Sequence, residues 1–147
     1  MSVFLDSSAL VKRYADEPGA DAIRSLPAGV VSALARVEVA AAIWQKHHRL
    51  GELDATSAGL LVEQFEWELF GDEGTEPRFA VVAVTQRVLE AGSRACARHG
   101  LRAYDALQLA AALAAREADP GIDRFACFDR ELAAAARLEG FSIVPEA

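Results

Sequence analysis

Asp6 stands directly after Val3-Phe4-Leu5, a short apolar run of strand-forming residues, and Asp129 directly after a second such run, Phe125-Ala126-Cys127-Phe128. Parallel strands of one sheet would release both carboxylates at the same edge. Capping of a following helix explains either aspartate taken singly. Asp105 is harder to assign to structure alone. It lies in Ala103-Tyr104-Asp105-Ala106-Leu107-Gln108-Leu109-Ala110, which reads as a helix apolar on nearly every face. Such a helix is expected to be buried, and a buried carboxylate is costly unless it is paired or bound to metal. The plain structural explanation is an ion pair with Arg102 or another basic residue. Glu38, early in Ala35-Arg36-Val37-Glu38-Val39-Ala40-Ala41-Ala42, follows the same logic, with Arg36 or Arg13 as local alternative partners.

Together these acids suit oxygen-ligand chemistry. Mg²⁺ and Mn²⁺ prefer carboxylates and water in octahedral geometry, and they commonly keep waters that can become nucleophiles. Two such ions a few ångströms apart can activate water and stabilise the leaving oxygen in phosphodiester hydrolysis. No zinc set competes. Cys96 and Cys127 make neither a disulfide framework nor a Cys/His site alone. His47, His48 and His99 sit beside Lys46, Arg49, Arg98 and Gly100, and read as solvated helix-end side chains.

The elements that must position the acids alternate between strand and helix. After Val3-Phe4-Leu5, Asp6-Ser7-Ser8 signals a helix through Ala9 to Tyr14, and Glu17-Pro18-Gly19 breaks it before a short helix near Ala20 to Leu26. Val30-Val31 is a second strand, and Ser32 is placed to cap a long helix running to about Arg49, with Gly51 as terminator. Asp54 caps a helix in which Leu60, Leu61, Phe65 and Leu69 recur at helical spacing. An acidic turn-rich loop over 71–77 leads to a third strand, Phe79 to Val84. Thr85 caps a helix ending near His99-Gly100, a further helix spans about Ala103 to Ala118, and Asp119-Pro120-Gly121 ends it. The strand at Phe125 to Phe128, a helix from Asp129 to Leu138 and a last strand from Phe141 to Val144 complete the order. Strands separated by helices predict a parallel sheet covered on both faces, a three-layer α/β fold. Ligands in such folds bind beyond the carboxyl ends of the strands, where Asp6 and Asp129 are expected.

Composition bounds the function classes. The chain has 147 residues, 52% hydrophobic and 25% charged, enough apolar content for a packed core and the expected length of one domain. Lys and Arg number 15 against 22 Asp and Glu, a net charge of −7, which argues against a protein that grips long stretches of duplex through phosphates. Carboxylates gathered around a divalent ion would account for part of the acidity. Asp6 falls where the apolar core of a secretory signal would run, and Ala103 to Ala115 is interrupted by Asp105 and Gln108. The expectation is a reduced, cytoplasmic chain without membrane contact.

Phe4-Leu5-Asp6-Ser7-Ser8-Ala9-Leu10-Val11-Lys12, the Ser32 to Ala42 segment around Glu38, Tyr104-Asp105-Ala106-Leu107-Gln108-Leu109-Ala110 and Phe128-Asp129-Arg130-Glu131-Leu132 together resemble the PIN domain. The resemblance spans essentially the whole chain, in order, and is nearest to the VapC-type ribonuclease toxins of toxin–antitoxin pairs. It implies a single PIN domain over residues 1–147, with a Rossmann-like central parallel sheet flanked by helices and an acidic nuclease site at its carboxyl edge. By matched position, Asp6 and Asp105 would be the main Mg²⁺ or Mn²⁺ ligands, with Asp129 and Glu38 completing the cluster. Ser7 would orient ligands or substrate. The implied reaction is attack of metal-activated water on an RNA phosphodiester. A homodimer and a cognate VapB-type antitoxin are implied as well. One residue departs from the pattern: where the family often has Thr or Ser two residues before the last Asp, this chain has Cys127, a weaker hydrogen-bonding group.

RNA must approach an acidic protein, so local cations matter. Lys12 and Arg13 follow Asp6, Arg98 and Arg102 flank the turn before Asp105, and Lys46-His47-His48-Arg49 forms a third cluster. Arg102 is the expected contact to substrate phosphate or antitoxin carboxylate. Trp44, Phe65, Trp67 and Phe70 are assigned to core or dimer packing. Other phosphoryl-transfer folds fail on residues: position 8 is Ser8 where a haloacid-dehalogenase-type phosphatase needs Asp, and Val82-Ala83-Val84-Thr85 lacks a receiver-domain acid. No glycine-rich turn follows the first strand, as a dinucleotide site would need. A PIN-like binding module that no longer cuts and a housekeeping RNA-processing nuclease are the competing expectations.

Overall fold

A computed structural model describes residues 3–146. Among them, β1 (Val3–Leu5), β2 (Val30–Ser32), β3 (Ala80–Val82), β4 (Arg124–Ala126) and β5 (Ser142–Val144) form one parallel sheet in the order β3-β2-β1-β4-β5. The helices are α1 (Ser7–Leu10), α2 (Ala20–Arg24), α3 (Ala35–His48), α4 (Ala55–Phe70), α5 (Gln86–His99), α6 (Ala103–Ala118) and α7 (Arg130–Leu138). This is the expected three-layer α/β arrangement.

The strand order fixes which layer each helix joins. From β1 through β2 to β3 the chain steps one way across the sheet; it then returns past β1 to β4 and β5. Right-handed crossovers therefore place the helices between β1 and β3 on one face and α5 to α7 on the other. The two cores agree. Val3, Leu5, Val31 and Ala126 pack with Leu10, Val39, Ile43 and Phe65 on the first face. Phe4, Val30, Phe125 and Ile143 pack with Leu109, Ala112, Leu132 and Ala136 on the second. Alternate residues of each strand thus enter opposite cores, which is why β1 is apolar throughout. Gly29 is required at the entry to β2: a Cβ there would lie 2.5 Å from the Val3 carbonyl oxygen.

Several boundaries differ from those read in the sequence. The helix after β1 begins at Ser7, because Asp6 itself caps it, and becomes a tight turn over Val11–Arg13. Ser32 belongs to β2 and does not cap α3; its hydroxyl accepts only from the Leu34 amide, 3.2 Å away, and α3 starts at Ala35 without a side-chain cap. β4 ends at Ala126, so Asp129 is not adjacent to the strand. The Cys127 amide makes one more bond, to the Val144 carbonyl, before the Phe128 amide turns to the Ser8 hydroxyl at 3.1 Å. That side-chain capture pulls the chain out of the sheet. Asp54 and Thr85 cap their helices as predicted, and α6 has the expected span.

Candidate active site

The sheet reverses its direction of growth between β1 and β4, and ligands of open α/β sheets bind in the crevice at that reversal. Asp6 lies there, 3% exposed. Its Oδ1 accepts from the Ala9 amide at 2.9 Å and from the Ser8 hydroxyl at 2.8 Å. Burial pushes the Asp6 carboxyl up to about 6, against the lowering effect of these donors and of Cys127, and the nearby charge of Asp105 raises it further. Asp105, in the first turn of α6, is partly buried and also raised, first by desolvation and then by the charges of Asp129 and Glu38. Asp105 is therefore within electrostatic reach of the other three acids predicted from sequence. Glu131 adds a further negative charge near Asp105.

None of the expected protein cations neutralises them. Arg13 pairs with Glu68 at 2.8 Å and Arg36 with Glu66 at 3.7 Å, which removes both local partners considered for Glu38. Arg102 lowers the Asp105 pKa through its charge yet makes no ion pair with it among the described residues; it is exposed at the N-cap of α6. Asp129 caps α7, its Oδ1 accepting from the Leu132 amide at 2.9 Å. Cys127 supports the Asp129 backbone, not its carboxylate: the thiol donates to the Asp129 carbonyl and accepts from the Asp129 amide, each at 3.3 Å. Burial pushes the Cys127 thiol well up, so it stays protonated.

Glu38 is held by two neutral donors. The Ser7 hydroxyl donates to Glu38 Oε1 at 3.0 Å, and Gln108 Nε2 donates to the same oxygen at 2.8 Å and to Ser7 Oγ at 2.9 Å. Ser7 thus links Glu38 to Gln108. Gln108 was missed as a site residue. Its signal was present: a lone amide in an apolar helix, three residues after Asp105 and so on the same face. It is 2% exposed, and its Oε1 is buried without a partner.

Among the described residues, no three His, Cys, Asp or Glu side chains form a ready cage for a metal ion. Mg²⁺ does not require one, since it keeps several waters and is often held through one or two carboxylates together with substrate phosphate. Asp6, deeply buried, and Asp105, both with raised affinity for protons and neither in an ion pair among the described residues, fit such an ion by donor chemistry. Several other cations and one imidazole are engaged elsewhere. Lys12 and Lys46 both meet Glu17, Arg98 meets Glu139, and His99 is not solvated as expected but bonded to Glu139 at 2.9 Å.

The chain resembles known proteins over nearly its full length. The family model described as PIN domain matches residues 3–138. Ribonuclease VapC45 and Ribonuclease VapC49, both of Mycobacterium tuberculosis, are each 33% identical over 149 positions, covering 97% of this chain and 94% of the relative. A solved toxin–antitoxin complex from Klebsiella pneumoniae has a chain with TM-score 0.63 and 16% identity, covering 90% of this chain and 91% of that one; it shows likeness of fold. With that match over residues 3–138 and relatives 33% identical across nearly the whole chain, this chain belongs to the PIN domain family.

Proposed function

We propose that this protein is a divalent-metal-dependent endoribonuclease, the toxin of a VapBC-like type II toxin–antitoxin pair. One observation supports the reading: Asp105 lies within electrostatic reach of Asp6, Glu38 and Asp129, and none of the four forms an ion pair among the described residues. The names of the curated relatives support RNA as the substrate. Mg²⁺ or Mn²⁺, when bound, would lower the pKa of water and offset the charge of a scissile phosphate.

Asp6, Asp105 and Asp129 are the residues that would hold the ion. Asp6 must lose its proton to do so, and with its carboxyl raised to about 6 the ligating form increases through that pH. Glu38 has one oxygen committed to Ser7 and Gln108, which leaves Oε2 to accept a hydrogen bond from a reacting water. Arg102, exposed beside Asp105, would meet the phosphate. The reading includes a cytoplasmic homodimer and a cognate antitoxin. The exposed Val37, Leu60, Trp67 and Phe70 of α3 and α4 provide apolar surface for a partner, whereas Phe65 is core.

Purified protein incubated with total cellular RNA and Mg²⁺ or Mn²⁺ tests this, beside EDTA and Asp6→Asn controls. Discrete fragments that vanish in both controls are expected. Absence of cleavage by folded, antitoxin-free protein would favour a silent binding module.

A further inference from the structure

Several basic residues near the acids are spent within the protein, so the positive contacts left for RNA are the unpaired ones. Lys12, Arg13, Lys46 and Arg98 all form ion pairs. Arg130 and Arg137 do not, among the described residues, and both are exposed on α7. Seven positions apart, they lie on one face of the helix, about 10 Å apart along its axis. That face borders a groove of about 490 Å³ between α7 and the edge strand β5, which begins at Asp129.

Phe128 lines the same groove beside the acid cluster and is 36% exposed. Its ring is held rather than free. The Lys12 ammonium sits 4.5 Å from the ring centroid, and the Phe128 amide is fixed by Ser8. Gly19 packs so closely that a Cβ there would lie 2.7 Å from the ring. A preorganised aromatic surface loses little freedom when a base stacks on it. Pro145 adds apolar lining, Asp129 at the N-cap of α7 and Glu146 also border the groove, and Arg130 and Arg137 are the cations there that a phosphate would take.

We propose that this groove binds unpaired nucleotides flanking the scissile phosphate, with a base on Phe128 and phosphates at Arg130 and Arg137. The inference rests on the ribonuclease reading. Single-stranded RNA is recognised by this combination of aromatic stacking and backbone cations.

The test uses the Asp6→Asn protein, which keeps RNA intact, and a labelled mixed-sequence single-stranded RNA. The double variant Arg130→Gln/Arg137→Gln should bind at least about tenfold more weakly. The slope of log affinity against log salt should fall by about 0.7 for each phosphate that is no longer neutralised. Phe128→Leu, which keeps apolar bulk but removes the π face, should weaken binding about fivefold or more with the slope unchanged. Thermal melts confirm folding of each variant. Unchanged affinity and slope in the double variant would overturn the proposal, as would unchanged RNA binding with lost antitoxin binding, which assigns the groove to a protein partner. Cleavage assays of the parent protein keep the two claims separate: a parent that cuts RNA while the groove variants bind normally refutes only the groove. A parent that neither cuts nor binds refutes both.

Discussion

Two buried carboxylates of this molecule are solved in opposite ways. Glu68, on α4 and 7% exposed, is met by Arg13 at 2.8 Å and Arg78 at 3.4 Å, both on Oε2, beside the buried Tyr14 hydroxyl. Burial and the Glu68 charge push the Tyr14 pKa upward, so this cluster remains a neutral phenol beside a compensated anion. Asp6, 3% exposed, has only neutral donors and the like charge of Asp105. A protein cation makes the first carboxylate a strut between the turn after α1 and the end of α4. Its lack leaves the second uncompensated, which is what the proposed cation site rests on.

Opposite responses to substitution would sharpen this contrast most. Asp6→Asn should reduce RNA cleavage by at least a hundredfold yet stabilise the metal-free protein by on the order of 1–2 kcal/mol, since a raised carboxyl pKa is a penalty on the folded state. Glu68→Gln should do the reverse, costing about 3 kcal/mol by stranding Arg13 while the folded fraction still cuts RNA. Denaturant melts in EDTA and initial cleavage rates read both. The sign of the pH effect follows from Asp6, whose ordinary value is 3.8 and whose folded value is about 6. Between these pH values the folded state holds a proton that the unfolded state has released. The Asp6 contribution to stability therefore falls as pH rises through that window in EDTA, and Asp6→Asn should flatten this part of the profile.

Smaller effects probe how the acids are held. Gln108→Leu removes the donor to Glu38 and also an unpartnered buried acceptor, so the melting temperature should change little. Cleavage should nevertheless slow about tenfold, in kcat more than KM, because Glu38 loses its orientation. An unchanged kcat would reduce Gln108 to packing. Arg102→Ala should weaken cleavage or antitoxin binding severalfold with the fold intact, and unchanged values for both would remove Arg102 from the site.

The sequence disclosed the acids and the alternation of elements because each has a local signal. Val3-Phe4-Leu5 is apolar throughout, as a central parallel strand must be, and Asp54 and Thr85 sit where caps belong. What it concealed depends on partners distant in the chain. Ser32 looked like a cap, but strand pairing with β3 took its backbone. Phe128 looked like the end of a strand, but a hydroxyl 120 residues away took its amide. Ser7, Glu38 and Gln108 meet only once α1, α3 and α6 converge, so no spacing rule links them. The basic residues misled for the same reason: Lys12 and Arg13 lie close to Asp6 in sequence, yet their charges are spent on Glu17 and Glu68.

Thermal melting with and without Mn²⁺, in wild-type, Asp6→Asn and Glu68→Gln proteins, tests the contrast most directly. Mn²⁺ should raise the melting temperature of wild type and Glu68→Gln by several degrees and leave Asp6→Asn unmoved, because binding to the folded state alone stabilises it. Equal stabilisation of Asp6→Asn, or none in wild type, would contradict the claim that the uncompensated carboxylates await a divalent cation.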